Sequence, residues 1–382
     1  MIYLDYNAST PLRDEVSNAL SGSLSRLGAF PGNPSSVHRG GRDLRTRLDR
    51  ARATVARILQ CEPREVCFTA SGSEADALAL KGAFFARSDR SRCRIVTSQI
   101  EHPAVLLSLK QLEAQGAEIV RVPPDSSGRV SANQIISELT PKTLLCSLMW
   151  ANNETGVLQP VDEVARACRA RGIPFHVDAV QAAGKVPISM NAVDADLLSI
   201  SAHKFYGPPG VGALVVRHRL SIDSLVPGHQ ESGWRGGTQN LPYIEALALA
   251  LELAARDLES ETERLARLRD RFENEVARRI GDVRVNGKNA ARVPNTSNIE
   301  FAGSDGEAIL IALDLEGICV SSGAACASGS LTPSHVLTAM GLSSSQAHGS
   351  LRFSFGLGST DEQVDQVLEA LSRHVPKARI AA

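Results

Sequence analysis

Hydrophobic residues between positions 66 and 216 occur in short runs, most of them apolar at successive positions. Such runs are typical of strands in a parallel sheet that is covered on both faces. Segments with helical spacing separate the runs, and this alternation predicts an α/β domain with a mostly parallel sheet. The predicted strands are Val66–Thr69, Arg94–Thr97, Glu118–Val122, Leu144–Trp150, Pro174–Val177, Leu197–Ile200 and Gly212–Val216.

The pattern changes after residue 255, where leucines and other apolar residues recur at helical spacing on a highly charged background. This spacing predicts one long amphipathic helix that ends at Gly281. Two β-rich runs follow, at Thr296–Phe301 and Ser350–Phe355. We therefore predict a large domain at 13–255 and a smaller α/β domain at 256–382. Residues 1–12 could join either domain, and we assign them to the smaller one.

Composition excludes several classes of protein. Lys plus Arg number 41 and Asp plus Glu 42, so no strong field attracts nucleic acid or an anionic membrane. The chain has no signal-peptide pattern and no apolar run long enough to cross a bilayer. We expect a cytoplasmic protein without a direct nucleic-acid or membrane partner. The seven cysteines are an odd number without a CxxC pair, which argues against a disulfide framework and predicts no metal site.

Lys204 lies just beyond the apolar strand Leu197–Ile200 and ahead of a Gly/Pro loop. Burial of an ammonium group is costly, so this place favours a functional lysine, although a salt-bridging lysine is the commoner case. Asp178 follows the preceding apolar strand, where a helix N-cap is the alternative. Strand carboxyl ends line the ligand crevice of an open parallel sheet, so Lys204 and Asp178 should meet. Pyridoxal phosphate (PLP) needs such a lysine and such a carboxylate.

Polar residues follow three other strands of the same domain. The small hydroxyl residues of Thr69–Glu74 precede a helical run, which favours an anion site, with capping by Ser71 or Ser73 as the alternative. His102 could stack on a flat ring or have a structural role. The asparagines of 152–153 could donate to a ligand oxygen or form a turn. Convergence of these positions is stronger evidence for a ligand site than any single motif.

Two residues of the C-terminal part are candidates for catalysis or substrate binding. Cys326 lies among small residues in 321–330, so we predict an exposed thiol with a function, whereas the other six cysteines have the context of packing residues. Arg352 alternates with the apolar Leu351 and Phe353 and shares the other face with two serines. Its guanidinium suits a substrate carboxylate, and a surface arginine on an edge strand is the alternative.

These residues together resemble a cysteine desulfurase of the NifS/IscS type, within the fold type I PLP enzymes. The resemblance runs nearly end to end, and the Cys326 loop is similar to that of the long-loop group of the family. It is carried by the segments 3–11, 32–38, 101–102, 152–154, 178–181, 201–204, 236–238, 321–329 and 347–354. The implied fold is a large domain with a mostly parallel seven-stranded sheet plus a smaller α/β C-terminal domain.

The resemblance also implies roles for the cofactor residues. Lys204 would bind PLP covalently, Asp178 would pair with its ring nitrogen and Gln181 with its phenolic oxygen. His102 would stack on the ring and transfer protons, and Asn153 would contact the cofactor. The phosphate would be held by Gly72, Ser73, Ser201 and His203.

The same resemblance implies a homodimer, because Thr238 would reach the phosphate in the partner subunit. Asn33, Asn153 and Arg352 would bind the carboxylate of L-cysteine. Cys326 would take the substrate's sulfur as a persulfide, releasing L-alanine, and pass it to an acceptor protein. The acceptor pathway stays open among iron–sulfur cluster assembly, nitrogenase maturation, tRNA thiolation and DNA phosphorothioation.

Some positions depart from the family's pattern. Ser73 stands where threonine is usual, and Gly236 where serine or alanine is commoner. Three alternatives remain: a selenocysteine lyase or cysteine sulfinate desulfinase, a related aminotransferase, and a scaffold that has lost catalysis. Intact Lys204, Asp178 and Cys326 argue against the scaffold.

Overall fold

The computed structural model describes residues 1–29, 31–322 and 333–379. Its strands are β1 (Ile2–Tyr3), β2 (Val66–Thr69), β3 (Arg94–Ser98), β4 (Glu118–Val122), β5 (Thr143–Met149), β6 (Phe175–Asp178), β7 (Leu197–Ser201), β8 (Gly212–Val216), β9 (Val283–Asn286), β10 (Thr296–Phe301), β11 (Ile318–Cys319) and β12 (Ser350–Ser354). All the predicted strands form, with ends that differ by one residue at most.

Helices fill most of the connections between these strands. They are α1 (Asp14–Ala29), α2 (Arg39–Leu59), α3 (Gly72–Ala86), α4 (Pro103–Glu113), α5 (Ala132–Glu138), α6 (Val161–Ala170), α7 (Met190–Val193), α8 (Leu241–Arg256), α9 (Leu258–Ile280), α10 (Gly306–Leu315), α11 (His335–Ala339), α12 (Ser344–His348) and α13 (Asp361–Ala378). The long amphipathic helix is α9; it ends at Ile280, and Gly281 follows as the predicted stop, with a left-handed φ of 66°.

The largest sheet has seven strands in the order β2-β8-β7-β6-β5-β3-β4. Only β8 runs antiparallel to its neighbours β2 and β7, and the other pairs are parallel. Successive residues of a strand belong to separate hydrophobic clusters, as Val66 and Phe68 do against Cys67. The sheet is therefore covered on both faces, which explains the continuous apolar runs.

A second core lies around the three-stranded antiparallel sheet β12-β10-β9. Helices α9, α10 and α13 pack on it, together with Ile2 and Leu4 from the start of the chain. Strand β1 also pairs with β11. These contacts involve residues 2–4 only, so the assignment of residues 1–12 and the boundaries at 12/13 and 255/256 stay predictions. No helix in the described ranges has the length and apolar character needed to span a membrane.

Candidate active site

Lys204 lies at the carboxyl edge of the large sheet, in a short 3-10 turn directly after β7. Its Nζ donates hydrogen bonds to the backbone oxygens of Asn7 and Ala8, each at 2.7 Å. The N-terminal segment is further held by Thr10, whose backbone N–H donates to the oxygen of His203 (2.9 Å). Residues 7–10 therefore form one wall of the site around Lys204.

Asn7 joins several site residues that sequence reasoning had treated separately. Its backbone oxygen accepts from Gln181 Nε2 (2.9 Å), and its side-chain Nδ2 donates to the oxygen of Asn153 (3.1 Å). Lys185 Nζ in turn donates to Gln181 Oε1 at 2.6 Å. Sequence reasoning identified neither Asn7 nor Lys185. The polar run from Asp5 to Thr10, which follows a short apolar strand, was the available signal for Asn7.

Asp178 ends β6, and its carboxyl group is buried beside Lys204. Burial raises the pKa of Asp178 to about 6, although the hydrogen bond from the Val180 N–H and the charge of Lys204 act the other way. The N-cap alternative is wrong, because the segment 180–185 after β6 forms turns and not a helix; the carboxylate accepts the Val180 N–H within such a turn. A desolvated carboxyl of this kind gains most from a cationic partner such as a protonated ring nitrogen.

Helix α3 begins at Gly72, and Ser71 is its N-cap, accepting the N–H of Glu74 at 3.1 Å. A Cβ at Gly72 would lie 2.7 Å from Val180 and 3.1 Å from the Cβ of Ser201, so this helix start packs directly against the end of β7. The first N–H groups of a helix have no partner within it and attract anions. Ser73 is exposed and Ser201 buried at this helix start.

Two histidines flank the site, and both are held neutral. Burial, and then the charge of Lys204, lowers the pKa values of His102 and His203 to about 4. His102 is the N-cap of α4, since its Nδ1 accepts the N–H of Ala104 at 3.1 Å. Because Nδ1 accepts, the proton of the neutral ring is on Nε2. The structural alternative for His102, capping of α4, is therefore real.

Arg352 is only 3% exposed, so the alternative of a surface arginine is wrong. Its Nη2 donates to Asp5 Oδ1 at 2.7 Å and its Nη1 to the backbone oxygen of Asn153 at 3.0 Å. Its Nε is buried and has no hydrogen-bond partner in the described part of the chain. Asp5 was missed by sequence reasoning, and a substrate carboxylate has to share the guanidinium with it or displace it.

The neighbouring Asn152 has a different role from Asn153. Its Oδ1 accepts the N–H groups of Glu154 and Thr155, each at 3.0 Å, which is the predicted turn alternative. This turn fixes the backbone oxygen of Asn153 at the point where Arg352 and Asn7 both donate to it.

Two further predicted residues lie outside this group. Asn33 and Thr238 form a separate pair, with Asn33 Nδ2 at 3.5 Å from Thr238 Oγ1, and Thr238 is exposed. Cys326 falls outside the described residues. The other six cysteines are free, and three of them, Cys67, Cys146 and Cys168, are buried as packing residues. Within the described residues, no group of His, Cys, Asp or Glu side chains is arranged to hold a metal ion.

Buried carboxyl groups under the site were also missed by sequence reasoning. Glu101 accepts from Ser98 Oγ (2.5 Å) and from the Met149 N–H (3.2 Å), and its Oε2 has no partner among the described residues. Burial raises the pKa of Glu101 to about 8. Burial and the nearby Asp178 also raise the pKa of Asp76 well above its ordinary value. Of the three buried acids Asp76, Glu101 and Asp178, Asp178 is therefore the one closest to being charged.

We expect Glu101→Gln to flatten the pH dependence of stability. The folded protein keeps a proton on Glu101 up to about pH 8, whereas the unfolded chain releases it near 4.5. The free energy of unfolding therefore falls as the pH rises between these values, by about 5 kcal/mol at most. Denaturant unfolding of the apoprotein at pH 5 and pH 8 should show this loss in the wild type and in the exposed control Glu118→Gln. An equal loss of unfolding free energy between pH 5 and pH 8 in Glu101→Gln would contradict the prediction.

Comparison with known proteins covers almost the whole chain. The family model described as aminotransferase class-V matches residues 2–367. The "Cysteine desulfurase IscS" of Dictyoglomus turgidum is 45% identical over 379 residues, which are 99% of this chain and 95% of that protein. A solved "NIFS-LIKE PROTEIN" is 33% identical with a TM-score of 0.91, covering 98% of this chain and 99% of its own.

A further structure, described as "SspA in complex with cysteine", is 33% identical with a TM-score of 0.82 and covers 93% of this chain and 99% of its own. These similarities confirm the predicted fold class, that of the fold type I PLP-dependent transferases, and the resemblance drawn from the motifs. The chain belongs to the class-V aminotransferase family and, within it, to the cysteine desulfurases of the IscS and NifS type.

Proposed function

We propose that this chain binds PLP at Lys204 and uses it to take the sulfur of L-cysteine onto Cys326, with release of L-alanine. The observation that carries the proposal is the juxtaposition of Lys204, the buried Asp178 carboxyl and the start of α3 at one edge of the sheet. The relative named a cysteine desulfurase and the neighbour in complex with cysteine support the substrate.

The residues present fit PLP. The start of α3, with Gly72 and Ser73, and the adjacent Ser201 and His203 would hold its phosphate, because N–H and O–H donors converge there without a side chain at Gly72. Asp178 would hold the pyridinium nitrogen, and Gln181 would face the phenolic oxygen. Bound PLP supplies an electron sink for the substrate's amino carbon.

Arg352 and Asn153 would orient L-cysteine by its carboxylate, with Asn33 as a further contact. The guanidinium is already fixed by Asp5 and by the Asn153 oxygen, so little side-chain freedom is lost on binding. His102, neutral with its proton on Nε2, would exchange protons with the substrate.

The sulfur transfer balances without an added oxidant or reductant. The Cys326 sulfur forms a bond to the substrate's sulfur and the substrate's carbon–sulfur bond breaks. Of the two thiol protons, one ends on the methyl carbon of alanine and the other on the persulfide. L-Cysteine plus thiol therefore gives L-alanine plus persulfide. A second thiol, on an acceptor protein, then has to remove the outer sulfur for the next turnover.

We further propose a homodimer in the cytoplasm. The exposed Thr238 is free to face the cofactor phosphate of a partner subunit, as the resemblance implies. The free state of the six described cysteines suits a reducing compartment, in which a persulfide is handed to a protein acceptor.

A single-turnover experiment tests the proposed function. PLP-loaded protein mixed with L-cysteine should release about one L-alanine per chain in a fast first turnover, in which Cys326 becomes the persulfide. Later turnovers should be slower, because the thiol of excess L-cysteine then has to remove the outer sulfur. Peptide mass spectrometry should find one extra sulfur atom on Cys326 and none on Cys319, the matched control. Steady release of alanine without the fast first turnover and without extra sulfur on Cys326 would instead indicate a lyase or desulfinase that needs no thiol. Absence of a PLP chromophore would indicate the non-catalytic scaffold.

A further inference from the structure

Lys185 is a buried amine that neither the sequence motifs nor the proposed chemistry uses. It is 7% exposed, and none of the ion pairs in the described ranges includes it. Burial, and then the charges of Lys204 and Arg352, lowers the pKa of Lys185 well below its ordinary value. A buried amine without a carboxylate is costly to keep, so its position calls for a reason.

The contacts of Lys185 lead directly to the cofactor-binding lysine. Lys185 Nζ donates to Gln181 Oε1 at 2.6 Å, Gln181 Nε2 donates to the backbone oxygen of Asn7 at 2.9 Å, and Lys204 Nζ donates to the same oxygen at 2.7 Å. A backbone oxygen can only accept, so the amide nitrogen of Gln181 has to face Asn7 and its oxygen has to face Lys185. The orientation of the amide is thereby fixed from both ends.

A close contact between two backbone turns places Lys185 near Lys204. Gly184 has a left-handed φ of 74°, and a Cβ there would lie 2.9 Å from the Cβ of Phe205, the residue after Lys204. The turn that carries Lys185 therefore packs against the turn that carries Lys204. A side chain at position 184 would separate the two turns.

The acidic groups in the cavity that Lys185 shares with Lys204 are engaged elsewhere. Asp257 pairs with Arg13 at 2.8 Å, and Glu261 pairs with Arg264 at 2.8 Å. Gln181 Oε1 is therefore the acceptor toward which Lys185 is directed.

We propose that Lys185 is a positioning residue, which holds the Gln181 amide by its oxygen so that the amide N–H₂ faces Lys204 and the cofactor site. The inference rests on the proposed PLP site. Its consequence is that Gln181 presents a donor, and never its oxygen, to the phenolic oxygen of the cofactor. A donor at that oxygen stabilises its negative charge, which is greatest in the deprotonated form of the bound chromophore.

The test is a pH titration of the absorbance of the PLP-loaded protein. Lys185→Met keeps the length of the side chain but removes the donor, and we expect the midpoint to rise by about one pH unit. Lys185→Arg keeps a donor and should stay closer to the wild type. Lys110→Met, which removes an exposed lysine of α4, should leave the midpoint unchanged.

A double-variant cycle separates positioning from a structural role. In a Gln181→Leu background, Lys185→Met should add no further change to the midpoint, because the amide through which it acts is gone. A midpoint unaffected by Lys185→Met, or an effect that persists in the Gln181→Leu background, overturns the inference, even where thermal stability falls. A wild-type chain that forms no chromophore with PLP overturns the proposed function and this inference with it.

Discussion

Replacement of Lys204 by alanine should lower the turnover of L-cysteine by at least about ten-thousandfold. The variant loses the amine that would bind PLP and the amine that would move protons to and from the substrate carbon. It also loses the two hydrogen bonds to the oxygens of Asn7 and Ala8, so the N-terminal wall of the site is less firmly held. Steady-state release of alanine measures the first loss, and thermal unfolding of the apoprotein measures the second.

Lys204→Arg is the matched control for this prediction. Arginine keeps a cation and donors for the two backbone oxygens, but its guanidinium is always protonated and is no nucleophile. We expect it to restore much of the stability and none of the turnover. In both variants PLP should be removed by dialysis, whereas the wild type should retain it.

The neighbouring Lys185 makes a direct check necessary, since it is a second buried amine at the same site. Wild-type protein loaded with PLP and treated with borohydride, which makes the lysine–cofactor linkage permanent, should give a modified peptide that contains Lys204. Modification at Lys185 in the wild type, or in Lys204→Ala, would contradict the assignment of Lys204.

The sheet could be predicted from the sequence because its signal is local. Each strand is a short apolar run whose two faces are both buried, so composition alone distinguishes it from the flanking amphipathic helices. Lys204 and Asp178 could be predicted for the same reason, since each follows a recognisable strand and the carboxyl ends of parallel strands share one edge. The antiparallel direction of β8 in this sheet could not be predicted, because an apolar run looks the same for either strand direction.

The rest of the site depends on partners that are distant in the chain. Lys204 and Asn7 are 197 residues apart, and Arg352 and Asp5 are 347 residues apart. No periodicity relates such positions, so Asp5 and Asn7 were seen only as part of a polar segment. Lys185 was missed because a single lysine after Gly184 belongs to no recognisable sequence motif. Its proposed role depends on the packing of its turn against the turn that carries Lys204, which the sequence does not indicate.

Replacement of Cys326 by serine should abolish persulfide formation and lower alanine release by at least about a thousandfold. The hydroxyl is nearly the same size as the thiol, but it ionises far less readily and is a much weaker nucleophile toward sulfur. Because serine nearly preserves the size and shape of the side chain, PLP binding should stay within about twofold of the wild type, as should the spectral response to L-cysteine.

The matched control is Cys319→Ser, at a half-buried thiol in β11, which should keep full turnover. Measurement of PLP affinity, L-cysteine binding and alanine release on the same preparations separates loss of the nucleophile from loss of the site. If Cys326→Ser still released alanine at the wild-type rate, another group would have to accept the sulfur. Persulfide on Cys319 would then identify that group, whereas free sulfide would show that no thiol takes part. Loss of PLP binding in Cys326→Ser would instead show that the segment around Cys326 supports the site itself.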